Sequence, residues 1–367
     1  MPKTGPRVGN AKFYFMAVLE KVKQEKKIAL IEGNGHHELP AQARIEATEK
    51  LGLGWIPDHP DFRDYTFKTE EIKEAVDEGV AQLKSKRSKF SAKGKSSSAD
   101  ITFFAPPTAP PPSVDLRPWC SPIENQGSLG SCTANAGVGL LEYFERRAFN
   151  NHIDASRLFL YKTTRNLMQL SGDTGAYLRT TMAAMVLFGV PPEKYWPYNI
   201  SGFNVSAGTA NFDVEPPSFC YSFAANYKSI KYFRLDPPGT TMATLLNTIK
   251  SNLVNFLPCM FGFSVYNSIG QAQATGKIPL PATSGDPFIG GHAVVAIGYN
   301  DTIKIQNSIP GSPLTTGALL IRNSWGTSWG PMGGYLWMPY DYILKGLASD
   351  FWTLISAEYV ATGNFGI

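Results

Sequence analysis

Polar and apolar positions alternate with different periods in different stretches of the chain. Residues 69–84, TEEIKEAVDEGVAQLK, put Ile72, Val76, Val80 and Leu83 on one face of a helix. Thr69 suits the N-cap, and Glu70 and Glu71 suit the positive end of the helix dipole. Residues 1–35 predict a helix followed by a Gly-rich turn. Within 36–68, LGLGWIPDHPDFRDYTF predicts an extended segment, because Pro57 and Pro60 interrupt any regular element. Its rings Trp55, Phe62 and Tyr65 are expected to lie on another surface. From Cys132 the period is helical in CTANAGVGLLEYFERRAFN, ASRLFLYKTTRNLMQL and AYLRTTMAAMVLFG. After about residue 218, short strand-like runs take over: FLPCMFGFSVY, HAVVAIGYN, GALLIRNSW and GGYLWMPY. Helices first and strands second predict an α+β chain. A helical lobe would span about 114–215 and a sheet or barrel-like β lobe about 216–367. Such two-lobed folds place ligands in the cleft between lobes.

Residues 84–112 separate these regions. Six Lys and Arg residues from Lys84 to Lys95 precede the first acidic residue, Asp100, and APPTAPPPS follows. Low hydrophobicity and lost periodicity predict a solvated, protease-sensitive linker. A basic run can also serve as a membrane or nucleic-acid patch. The expected organisation is therefore 1–83, a linker at 84–112, and a main domain at 113–367. The first part reads equally as a small helical domain with its own core or as a segment packed on the main domain.

Charge adds little. The net charge is +4, with 18 basic and 15 acidic residues before position 114 and 16 and 15 after it. No basic face of the kind that binds nucleic acid stands out. No stretch reaches the roughly 18 apolar residues of a membrane span. The apolar run Phe13–Leu19 ends at Glu20 and Lys21, so no signal peptide is recognisable. Cytoplasmic synthesis is expected, with virion packaging or non-classical secretion as alternatives. The sequons at Asn199, Asn204 and Asn300 matter only on a secretory route.

The four cysteines, Cys120, Cys132, Cys220 and Cys259, include no CxxC pair and do not suggest a zinc site. Cys132 follows NQGSLGS and opens a helix, where unpaired N–H groups favour a thiolate. If it stays free, Cys120, Cys220 and Cys259 can form one disulfide at most. Of five histidines, only His152 and His292 lie beyond Cys132. His152 sits in a polar turn, whereas His292 follows Gly290 and Gly291 into an apolar strand. Either residue alone reads as structural. Gln126, in a Gly-rich loop, can turn its amide toward Cys132. Asn323 can fix a histidine ring, with Trp325 shielding that bond from water.

QGxxGSC, GGHAVVAIGY and IRNSWGTSWGPMGGY together resemble the signature blocks of papain-like, cathepsin-like cysteine peptidases. Their order agrees, and His292 and Asn323 lie 160 and 191 residues after Cys132. The family's downstream partners lie about 130–150 residues away, so the excess fits loop insertions. The resemblance implies a two-lobed papain-like fold and an autoinhibited endopeptidase acting on proteins or peptides. Residues 1–83 would be its prosegment and intramolecular inhibitor. It implies Cys132 as nucleophile, His292 as acid/base and Asn323 as the group orienting His292. The Gln126 side chain and the Cys132 N–H would form the oxyanion hole. Trp325 and Trp329 would be the shielding tryptophans. Gly175, Ala176 and Tyr177 resemble the segment that pairs with substrate backbone. Leu178 and Cys259 would lie near the pocket for the second residue upstream of the cut, and Gly291 beside it. No cofactor is implied.

The chain departs from the family in several places. Leu129 replaces the usual cysteine three residues before the nucleophile, Thr133 the aromatic after it, and Ala176 a glycine. GWIPDHPDFRDYTF resembles the leader of a bacterial and viral branch. Two other outcomes remain open: a binding protein whose site is permanently closed, and a transferase that passes the thioester to an amine.

Overall fold

The computed structural model describes residues 51–70, 72–73, 110–149, 153–198, 211–225 and 229–357. All belong to the compact unit Glu46–Ile367. The expected helix and turn at 1–35 and most of the linker lie outside the described residues.

The elements run β1 (Ser113–Asp115), α1 (Cys132–Phe149), α2 (Arg157–Leu167), α3 (Leu178–Leu187), α4 (Ser218–Ala224), β2 (Ser229–Arg234), α5 (Met242–Val254), β3 (Cys259–Tyr266), α6 (Gln271–Thr275), β4 (Phe288–Gln306), β5 (Leu314–Arg322), β6 (Tyr335–Pro339), α7 (Asp341–Leu344) and β7 (Ala348–Ala357). The sheet is antiparallel, in the order β2-β7-β3-β4-β5-β6, with β1 also on β4. This is the α+β, two-lobed architecture that the periodicity predicts.

Helix α1 is the centre of the molecule. Its residues are buried almost all round, as in a helix with packing on every side. Small residues permit this. A Cβ on Gly139 would come within 2.4 Å of Arg322 Nη1 on β5, and one on Gly137 would press on α2 and α3 side chains. Helix α1 therefore packs between the sheet and the other helices with Cys132 at its N-terminal end. Helix α2 begins at Ser156, whose Oγ accepts from the Phe159 N–H.

Three expectations are corrected. Helix α5 falls in the half expected to be β, although Leu245, Ile249 and Leu253 mark its buried face. Strand β1 opens the supposed helical lobe but pairs with β4, so the lobe boundary is not a clean cut. Thr69 directly precedes the helical residue Glu70. Its Oγ1 accepts from the Thr66 N–H, while its carbonyl takes the Ile72 and Lys73 N–H groups. Trp55 is buried, but Phe62 is 91% exposed and Tyr65 is also exposed, since that stretch binds through backbone and charge. Ile72 joins the main core, while Val76, Val80 and Leu83 lie outside the described residues. All four cysteines are free thiols.

Glu142, on α1, is fully buried, and burial pushes its pKa up to about 7 against the opposing pull of Arg322. A carboxyl raised in the folded state contributes stability below its unfolded pKa and loses it as pH rises through the folded value. Glu142→Gln keeps an acceptor for the Ala155 N–H. It should raise the unfolding temperature at pH 8 and change it little at pH 5, as measured by calorimetry.

Candidate active site

The loop after β1 and the loop after β5 meet as a short rung. The Gln126 N–H donates to Ser324 O at 2.8 Å, Asn125 bridges Trp325, and the Gly326 N–H donates to Glu124 O at 2.9 Å. Ser324 Oγ donates to Gln126 Oε1 at 2.5 Å. With Oε1 held, Gln126 Nε2 turns its hydrogens the other way, toward Gly52 O and Leu129 O. Ser324 is thus a positioning residue, not singled out by sequence pattern although it sits in the Asn-Ser-Trp block. The Tyr198 hydroxyl supports the same loop, donating to Gln126 O at 2.8 Å.

Cys132 is completely buried at the first position of α1. His292 lies on β4, with Nε2 donating to Asn323 Oδ1 at 2.8 Å and Nδ1 without a hydrogen-bond partner. Trp325 stacks on the imidazole at 4.4 Å between centroids, and Trp329 meets Trp325 edge-on at 4.6 Å. Burial pushes the Cys132 thiol up to about 12, outweighing backbone hydrogen bonds from Ala293, Gly54 and Thr133. Burial also lowers His292 to about 4, against the Asn323 hydrogen bond. Both groups are therefore neutral near pH 7 in this form.

The cause of that burial is the chain's own N-terminal segment. Gly52 O accepts from Gln126 Nε2 at 2.5 Å. The Ala176 N–H donates to Gly54 O at 2.8 Å, and the Ile56 N–H to Ala176 O at 3.1 Å. Trp55 pairs with Ala176 as a parallel bridge, and its N–H donates to Gly291 O at 3.1 Å. The approach requires glycine at 54, where a Cβ would stand 2.0 Å from Gly130 O. Gly175 and Ala176 thus meet the segment directly. Tyr177 and Leu178 instead begin α3, and Leu178 is buried in the core.

Cys259 does not line the groove that holds Trp55. Along β3 alternate side chains face opposite ways. Gly262 faces Trp55, so Cys259, three positions away, points to the other side.

Beyond the groove, two arginines hold the segment. Arg179 on α3 pairs with Asp58 at 3.1 Å and Asp64 at 2.8 Å, and donates to His59 O. Arg234 on β2 donates to Asp58 O at 3.2 Å and lies 3.5 Å from Asp64, while its N–H donates to Tyr65 O. Nothing in local sequence pattern signals these long-range pairs.

A profile describing the papain family of cysteine proteases matches residues 110–350. The chain belongs to the papain family. It is a papain-like cysteine peptidase. An uncharacterized peptidase C1-like protein of Acanthamoeba polyphaga mimivirus is 35% identical over 247 residues, covering 66% of this chain and 72% of that protein. The crystal structure of xylellain, a cysteine protease from Xylella fastidiosa, matches with a TM-score of 0.59 at 32% identity, over 83% of this chain and 96% of that one. These viral and bacterial relatives agree with the branch that the leader resembles. A procathepsin B from Trypanosoma congolense shares the fold, with a TM-score of 0.53 at 17% identity, over 86% of this chain and 89% of that one.

Because burial holds Cys132 as a neutral thiol, iodoacetamide at pH 7 should modify it slowly in the intact chain. The expected rate is on the order of a thousandfold below that of an exposed thiol of pKa about 8.5. Peptide mapping by mass spectrometry after timed quenching measures it.

Proposed function

We propose that this chain is a cysteine endopeptidase made as a self-inhibited precursor, with residues around 51–65 as the inhibitory segment. The observation that carries the proposal is the use of cleft polar groups by residues 52–56. Gln126 Nε2, Ala176 N–H, Ala176 O and Gly291 O are all taken by this short stretch. On the family resemblance, Ala176 pairs with residues upstream of the cut. A productive peptide would then run from Ala176 toward Gln126. The inhibitory segment runs from Gln126 toward Ala176 instead, in parallel register with Ala176. Its peptide direction is therefore reversed relative to that of a substrate, and the Gly54 N–H reaches the Cys132 sulfur.

Once the segment is displaced, water enters and the penalty on charge falls. The Cys132 thiol passes its proton to His292 Nδ1, the nitrogen left open by the Asn323 bond. The thiolate attacks the peptide carbonyl carbon and forms a tetrahedral oxyanion. Gln126 Nε2 and the Cys132 N–H hold that oxygen, each such donor lowering the barrier by about 3–4 kcal/mol. The imidazolium protonates the amine as the C–N bond breaks, leaving a thioester. His292 then takes a proton from water, hydroxide adds, and the thiol leaves with the acid product. Asn323 keeps the ring aligned, and Trp325 and Trp329 cover that bond.

Acid alone does not undo the arginine latch through Asp58. Burial, its largest influence, raises the Asp58 pKa above 3.8 in the docked form. The Asp58 contribution is full below 3.8 and weakens as pH rises through the raised value. Cutting the linker is the more effective release.

Arg179→Ala removes the contacts to Asp58, His59 and Asp64, and the full-length variant should show faster Cys132 labelling than the wild type. Under reducing conditions it should also process itself sooner, read by mass spectrometry. Cys132→Ala and His292→Ala should abolish both processing and peptide hydrolysis. An Arg179→Ala chain that labels quickly yet cleaves no peptide at any pH would reject the peptidase reading. Added amine appearing in the products would redirect it to transfer.

A further inference from the structure

Trp55 is only 6% exposed, although it belongs to a segment that binds mainly through its backbone. Its ring fills a slot whose floor is the backbone of β3 and β4. A Cβ on Gly262 would lie 1.9 Å from Trp55 Cε2, and one on Gly291 would lie 2.9 Å from Cε3. The slot exists at this depth because position 262 carries no side chain. At its end, the indole Nε1 donates to Asp350 Oδ2 at 3.3 Å.

Asp350 is aimed there by a bulge. Strand β7 pairs Ser349 with Gly262 and Trp352 with Met260, so two β7 residues oppose Phe261 alone. Asp350 takes the strain, with φ of +65°. It is fully buried. Its Oδ1 accepts from Trp352 Nε1 at 2.7 Å and lies 3.2 Å from Arg234 Nη1. Oδ2 has Trp55 as its donor. When the segment leaves, that buried acceptor faces an empty slot of indole size.

The residue that next enters must fill the slot and donate to Oδ2. Phenylalanine fills it but leaves a buried carboxyl oxygen of Asp350 without its donor, which is costly. Arginine donates but adds a charge beside Arg234. That side chain is already balanced by Asp350 and by Asp236 at 2.9 Å. Arg179, freed from Asp58 and Asp64, adds a second positive charge near the rim, its Cζ 5.9 Å from the Trp352 ring.

We propose that Asp350 and Gly262 make this pocket selective for tryptophan in the substrate residue that pairs with Ala176, the second upstream of the cut. The substrate claim rests on the peptidase reading above, whereas the pocket claim does not.

Two arms of one experiment separate them. In the first, full-length Trp55→Phe and Trp55→Arg chains are labelled with iodoacetamide at Cys132 before any processing. Loss of the Asp350 bond should speed labelling about tenfold in Trp55→Phe, and at least as much in Trp55→Arg. Combined with Asp350→Asn, the difference between Trp55 and Phe should shrink toward none. In the second arm, the self-processed chain is given peptides with Trp, Phe, Leu or Arg at the second upstream position. kcat/KM for Trp should exceed that for Phe by about tenfold. Gly262→Ala should lower the Trp to Leu ratio, which keeps the test alive if Asp350→Asn does not fold. Arginine seating the leader as well as tryptophan, or Phe and Arg peptides matching Trp, would overturn the proposal. The predicted labelling order without hydrolysis of any peptide would uphold the pocket and reject the peptidase reading instead.

Discussion

The rung between Gln126 and Ser324 is the constraint on which the site depends. Cys132 sits on a helix and His292 on a strand of the other lobe, and no covalent bridge ties the lobes, since every cysteine is free. The pairing of residues 124–126 with 324–326 makes that join through backbone hydrogen bonds. The same turn carries Asn323, which holds His292, and Trp325, which covers the ring. One short pairing therefore sets the spacing of Gln126, Asn323 and Trp325 at once. Buried backbone bonds are well suited to this, because breaking them leaves unsatisfied polar groups.

Within that frame, burial and charge are opposed. A thiolate and an imidazolium side by side need water or fixed dipoles around them. Residues 52–56 cover the site, and desolvation outweighs the three backbone bonds that reach the sulfur. The covered site favours neutral Cys132 and neutral His292. On the proposed reading, the N-terminal segment thus acts on the chemistry as well as on access, because the covered site disfavours the protonation state that attack by Cys132 would require.

The parts of this arrangement legible in the sequence are those written in contiguous residues. Cys132, His292, Asn323, Gln126 and Trp325 stand in short blocks whose neighbours mark them. Helices α1, α2 and α3 and strands β3 to β6 show their period directly. Features that arise from pairing distant strands were not legible. Asp350 faces the cleft only because β7 bulges against β3. Cys259 faces away from the groove, because strand parity depends on which neighbour faces it. The pairs of Arg179 and Arg234 with Asp58 and Asp64 join residues more than a hundred positions apart. Trp55, Phe62 and Tyr65 look alike in sequence, but only Trp55 meets a slot lined by glycine.

Inhibitor and substrate, on the proposed reading, compete for the same hydrogen-bonding groups. A cleft that grips peptides better through Ala176, Gly291 or Gln126 also grips its own leader better, and activation becomes harder. The arginine latch separates the two demands. Arg179 and Arg234 bind Asp58 and Asp64 outside the backbone-pairing groove, so their strength adds to leader affinity without strengthening the groove's hold on peptides. The contribution is also intramolecular, which keeps the leader's effective concentration high until the chain is cut. After cleavage that advantage is lost, and weak contacts that sufficed within one chain no longer hold the leader against substrate. A moderate latch and a tethered leader together permit tight silence before the cut and prompt release after it.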